Sequence, residues 1–96
     1  MTRYHLRLTQ VAARDLEDLY EEGFLTLGEA QADRYFDGLL NRFDRICEAP
    51  LMYPAVDHIR SGYRRSVYEK HCIFFVIDGE VLEIRAVVKR QDMTGR

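Results

Sequence analysis

The sequence predicts an α+β fold in the order β-α-α-β-β-β, with a helical hairpin packed on one face of a small antiparallel sheet. Three features carry that expectation. The apolar period lengthens from two residues to a helical repeat after residue 8 and stays helical to residue 48. Ala49-Pro50 then closes the helical half, because proline restricts the residue before it and cannot continue the hydrogen bonding. From residue 63 onward, β-branched and aromatic runs flank an Asp78-Gly79 turn signal.

In chain order, Tyr4, Leu6 and Leu8 alternate with His5 and Arg7, the pattern of a half-buried strand. Thr9 is placed to cap the following helix with its hydroxyl. Ala12, Leu16, Leu19, Tyr20 and Phe24 line one face of that helix, and Arg14, Asp15, Glu17, Asp18 and Glu21 read as its solvated face. Gly23 and Gly28 bracket an expected break. A second helix is expected from Glu29 to Glu48, with Ala32, Tyr35, Phe36, Leu39, Leu40, Phe43, Ile46 and Cys47 as its apolar stripe. A short turn between two such helices favours antiparallel packing. Residues 50–62 read as a loop, followed by strands over Tyr63–Tyr68, Cys72–Ile77 and Val81–Lys89. In the last strand Val81, Glu83, Arg85 and Val87 alternate against Leu82, Ile84, Ala86 and Val88.

A chain of 96 residues, 47% apolar and 31% charged, fits a single domain over residues 1–96. A domain so small has much surface for its volume, which suits a protein completed by a partner. Net charge is −2, but the first 48 residues carry six Arg against ten acids and the rest eight basic against six acidic residues. That balance argues against broad nucleic-acid binding and gathers positive charge in the second half. Cys47 and Cys72 lie in apolar settings with no metal-ligand spacing, so buried free thiols are expected. The three histidines have no ligand spacing either, and neither a metal nor an organic cofactor is expected. With charged residues from the start and no run of about 20 apolar residues, a cytoplasmic protein without membrane contact is the expectation.

The helical hairpin can cover only one face of the sheet. Phe74, Phe75 and their neighbours must be apolar on both sides or leave some apolar surface open, and such a patch usually marks a partner.

The second half carries an ordered set of motifs: Ile59-Arg60-x-Gly62-Tyr63-Arg64, His71-x-Ile73-Phe74-Phe75, Ile84-Arg85-Ala86-Val87 and Arg90-Gln91-Asp92. The first half adds Asp15-Leu16-Glu17-Asp18-Leu19-Tyr20 and Gly28-x-Ala30-Gln31-Ala32-x-x-Tyr35. Together, over essentially the whole chain, these resemble the ParE toxins of the RelE/ParE superfamily. The resemblance implies the same β-α-α-β-β-β fold and a toxin that acts on DNA gyrase. It also implies a cognate ParD-like antitoxin, dimerised through a ribbon-helix-helix domain, whose disordered C-terminal segment folds onto the toxin. Lys89, Arg90 and Met93 near the end are the expected gyrase contacts. Arg64, Arg65 and Arg85, with Tyr20, Phe24, Tyr35 and Phe36, are the expected antitoxin contacts. Val87-Val88 stands where the family often has Leu-His, and Lys70 where Ser is common.

The related RelE branch cleaves messenger RNA on the ribosome, which makes a RelE-like endonuclease the alternative reading. Such cleavage needs groups that activate a 2′-hydroxyl, stabilise the phosphorane and protonate the leaving oxygen. His58, His71, Arg64, Arg65, Arg85 and Arg90 are the candidates, a thin set with only Lys70 and Lys89 as lysines. An acidic balance also fits poorly with docking on ribosomal RNA. The expectation is therefore a binding toxin, not an enzyme, and no direct nucleic-acid contact. A domain that keeps the partner and has lost toxicity is a third reading.

Overall fold

The computed structural model describes residues 3–90. Its elements are β1 (His5–Leu8), α1 (Gln10–Leu27), α2 (Glu29–Glu48), a 3-10 turn (Pro50–Met52), β2 (Arg64–Tyr68), β3 (His71–Asp78) and β4 (Val81–Lys89). The sheet order is β1-β4-β3-β2. The last three strands form the antiparallel meander, but β1 joins β4 in parallel, with His5 opposite Val81 and Leu8 opposite Ile84. The sheet expected to be antiparallel is therefore mixed. The cause is topological: α1 and α2 return the chain to the start of β1, where Tyr4 N–H donates to Cys47 C=O at 3.1 Å. The meander then fills inward from the far edge, so its last strand lands beside the first.

Local chemistry fixes the helix ends. The Thr9 hydroxyl accepts from Ala12 N–H at 3.0 Å and starts α1. Gly28, at φ +92°, alone forms the break: its N–H closes α1 on Phe24 and its C=O opens α2 on Ala32. Gly23 is not a break. It continues α1 and faces Ala32 where the two helices meet. The Gly79-Glu80 turn sits one residue later than the expected Asp78-Gly79 pair, with Gly79 at φ +62°.

The main core joins Leu16, Leu39, Phe43 and Ile46 of the helices to Ile73, Phe75, Leu82, Ile84 and Val87 of the sheet. Each large side chain so buried contributes about 1.5–3 kcal/mol. Ile84 and Val87 both reach this core although strict alternation puts them on opposite faces. A bulge explains it: Phe74 pairs with Ala86 and Phe75 with Ile84, leaving Arg85 extra and reversing the phase of β4 beyond it. Val88 therefore lies on the second face.

That second face is less open than the lack of a helix suggests. Val56, from the long loop, buries against Cys72 and Phe74, with Tyr63 and Val88 packed beside them. Both cysteines are buried and free. The strand β1 departs from expectation in the other direction. All four of its residues are exposed, because it is the edge strand and nothing in the described residues covers Leu6 (41% exposed) or Leu8 (39%).

Among the described residues no strand flanks the edge of β4 beyond Leu8, and the start of α1 supplies the missing partners. The Thr9 hydroxyl shares its one proton between the carbonyls of Ile84 and Arg85, and Asp15 Oδ2 accepts from Val87 N–H at 2.9 Å. Asp15, read from sequence as solvated, is thus a structural acceptor.

Candidate functional site

Two surfaces gather the residues singled out from the sequence. The first is a groove of about 780 Å³ at the joint of the helical hairpin, closed on its sheet side by the β2–β3 turn and the end of β4. Lys89 and Arg90 line it. Lys89 Nζ lies 2.7 Å from Glu22 Oε2, reaching from β4 to α1. Arg90 is fixed on the turn: its N–H donates to Lys70 C=O at 2.9 Å and Nη1 donates to Glu69 C=O at 3.1 Å. Glu69 holds φ +49°, a left-handed conformation that costs a non-glycine residue about 1–2 kcal/mol. Arg90 is thereby tied to a strained two-residue turn. Met93 lies outside the described residues.

Tyr35 also faces this groove and is the hub of its inner wall. Its hydroxyl lies 2.8 Å from His71 Nδ1 and 3.2 Å from both Tyr68 O and Lys70 N. Burial raises the Tyr35 hydroxyl above its usual pKa and lowers the His71 imidazole, which Lys89 and Lys70 also depress and Glu22 opposes.

The second surface is an apolar groove of about 480 Å³ between β1, α1 and α2, lined by Leu8, Ala13, Leu16, Glu17, Tyr20 and Phe36. Tyr20 sets its shape. Its ring meets Phe36 edge-on at 5.6 Å and Phe24 at 6.3 Å, while its hydroxyl donates to Asp33 Oδ1 at 2.6 Å. Phe24 remains 45% exposed, and Leu40, one helical turn beyond Phe36, is exposed as well. The predicted aromatic set thus divides: Tyr20, Phe24 and Phe36 form one cluster, and Tyr35 belongs to the first groove. Beside the apolar groove runs the open edge of β1. His5 N–H and Thr9 N–H point to β4, so the intervening Leu6 and Leu8 backbone groups point away from the sheet.

The three strand arginines are not brought together. Arg64 lies opposite Phe75, on the helix side of the sheet, with Nη1 donating to Tyr53 C=O at 2.7 Å. Arg85 lies on the other face. Its Nη1 contacts Glu83 Oε1 at 2.6 Å, and Nε donates to the Tyr63 hydroxyl, whose ring it also covers. Glu83 accepts Arg7 Nε at 2.8 Å through its other oxygen, and Arg85 first and Arg7 second hold its carboxyl below the usual range. Arg65, opposite Phe74, makes no ion pair with the described residues.

Sequence reading missed Glu83, Arg7, Leu8 and Ala13. The Glu83-x-Arg85 spacing already placed two opposite charges on one strand face, and Arg7 became their neighbour only through the parallel pairing of β1. His5 and His58 are exposed. Among the described residues no group of three His, Cys, Asp or Glu is arranged to hold a metal.

Residues 6–93 match the family model of the ParE toxin of the type II toxin–antitoxin system, parDE. The chain belongs to the ParE toxin family. This ParE-family chain is 30% identical over 88 residues to Toxin ParE1 of Mycobacterium tuberculosis, covering 90% of each. It is 32% identical over 90 residues to Toxin ParE1 of Caulobacter vibrioides, covering 94% of this chain and 92% of the relative. Its fold is similar to a chain of the chromosomal ParDE system from P. aeruginosa, with a TM-score of 0.80, 17% identity, and coverage of 91% and 96%. It is also similar to a chain of the RelBE2 toxin–antitoxin complex from Mycobacterium tuberculosis, with a TM-score of 0.69, 22% identity and 94% coverage of each. These two likenesses place the ParE-family chain in a fold that ParE and RelE systems share. No helix among the described residues is long and apolar enough to cross a membrane.

Proposed function

We propose that this ParE-type toxin arrests growth by binding DNA gyrase, without chemistry of its own, and is held inactive by a ParD-like antitoxin. The observation that carries this reading is the ParE family match, which runs from β1 through residue 93 and so spans the end of β4. Lys89 and Arg90 present cationic groups there beside the strained turn, and with Met93 they are the assigned gyrase contacts. The partners of the strand arginines support binding over catalysis. Arg85 is engaged by Glu83 and Tyr63 and Arg64 by Tyr53, so neither is held ready for a phosphorane.

The antitoxin's C-terminal segment takes the apolar groove at Tyr20, Phe24 and Phe36, with backbone pairing available along the open edge of β1. Arg65 is the strand arginine with charge to offer an acidic side chain. Arg64 and Arg85 act mainly within the toxin, and Tyr35 serves the other groove.

Induction of the chain in a bacterial host, with and without its co-encoded antitoxin, tests this reading. Growth arrest with a DNA-damage response, recovered on antitoxin expression and weakened by Arg90→Ala, supports it. Arrest with rapid loss of messenger RNA points to the RelE-like endonuclease. No arrest from a soluble, folded chain points to the partner-binding relic.

A further inference from the structure

The groove at the hairpin joint contains a base that the gyrase reading does not use. Hydrogen-bond accounting at Tyr35 favours one tautomer of it. The hydroxyl has one proton and two lone pairs, and three neighbours: Tyr68 C=O, Lys70 N–H and His71 Nδ1. The carbonyl can only accept and the amide can only donate. All three contacts are satisfied together when Tyr35 donates to Tyr68 and accepts from both Lys70 N–H and His71 Nδ1–H. That arrangement puts the imidazole proton on Nδ1 and leaves Nε2 as a bare acceptor.

Nε2 has no hydrogen bond among the described residues, no partnerless side-chain nitrogen or oxygen is fully buried there, and His71 lines the groove. Among the described residues the groove is lined by three cations from the sheet end, Lys70, Lys89 and Arg90, and by two carboxylates, Glu22 and Glu69. Glu22 is matched by Lys89, which leaves the Lys70–Arg90 side the more positive. The floor is apolar, with Leu19, Leu27 and Ala32. A volume of about 780 Å³ is within the range of small-molecule sites.

An anion-binding rim, one fixed acceptor and an apolar floor together suit a ligand with a phosphate, a hydroxyl and a flat ring. We propose that this groove binds a nucleoside monophosphate, with its phosphate on Lys70 and Arg90, a ribose hydroxyl donating to His71 Nε2, and its base on the apolar floor. Arg90 is shared with the gyrase assignment, whereas Lys70 and His71 belong to neither assignment, so their readouts separate this site from the gyrase reading.

The test is a titration of the purified full chain with adenosine 5′-monophosphate and, separately, inorganic phosphate, following the His71 ring nitrogens by NMR. The nucleotide should shift His71 Nε2 saturably and bind about tenfold more tightly than phosphate, the equivalent of one good hydrogen bond plus ring burial. Lys70→Ala, a change at an exposed turn, should weaken nucleotide binding about tenfold. Tyr35→Phe should mix the His71 tautomers and weaken the nucleotide while leaving phosphate affinity unchanged. Absence of a saturable His71 shift, equal affinity for phosphate and nucleotide, or a Lys70→Ala variant that binds normally would each overturn the proposal.

Discussion

Asp15→Ala removes the acceptor that Val87 N–H uses where β4 has outrun its neighbour β1. The bond is 2.9 Å long and partly buried, Val87 itself is 4% exposed, and the acceptor is a carboxylate. Truncation leaves a nearly buried donor with no partner, a loss of about 2 kcal/mol. Alanine is the better helix former, so part of the loss is masked by a gain of about 0.5 kcal/mol within α1. Asp18→Ala, one turn along and exposed, carries the same gain without the hydrogen bond and is the matched control. With a urea slope of about 1 kcal/mol/M for a domain this size, the Asp15→Ala midpoint should fall about 2 M below that of Asp18→Ala. Equal midpoints for the two variants would refute the idea that α1 replaces a missing strand.

Three further outcomes follow from the geometry. Gly38→Ala should destabilise α2, although alanine usually gains about 1 kcal/mol over glycine inside a helix, because the new Cβ meets the Tyr68 hydroxyl. Adding Tyr68→Phe should recover most of that loss in thermal unfolding. The lowered Glu83 carboxyl contributes stability above the unfolded glutamate value of about 4.3 and loses it as pH falls through the folded value. Glu83→Gln should therefore flatten that part of the acid limb in urea midpoints measured from pH 6 to 3. Leu8→Glu, at an exposed groove position, should leave the fold intact and weaken antitoxin binding by about ten- to hundredfold in calorimetry. Unchanged affinity would move the antitoxin off this groove.

Element order was legible because it rests on local signals. Thr9 starts α1, Gly28 breaks it, Ala49-Pro50 ends α2, and the apolar run from Cys72 to Ile77 sits between two β-rich neighbours. The parallel seat of β1 was not legible, since pairing residues 5–8 with 81–84 depends on where the 72 intervening residues return the chain. The bulge at Arg85 was equally hidden. It reverses the phase of β4, brings Val87 into the core and puts Val88 on the second face, and a strict two-residue period cannot show it. The long loop read as mere connection because Val56 has no repeating apolar company to mark it as a cover for Phe74. For the site, residue types were legible and their partners were not. Arg64 and Arg85 looked equivalent in sequence, but the register sends them to opposite faces and gives each an internal partner. Tyr35 and Phe36 are neighbours in sequence, yet the helical turn of about 100° between them assigns one to each groove.

The most direct test of the central claim is a DNA gyrase supercoiling assay with the purified chain, run beside ribosome-dependent messenger RNA cleavage on the same preparation. The account predicts inhibited supercoiling, intact RNA, and recovery on adding the cognate antitoxin. Cleaved RNA with normal supercoiling would contradict it and make the RelE-like endonuclease the correct reading.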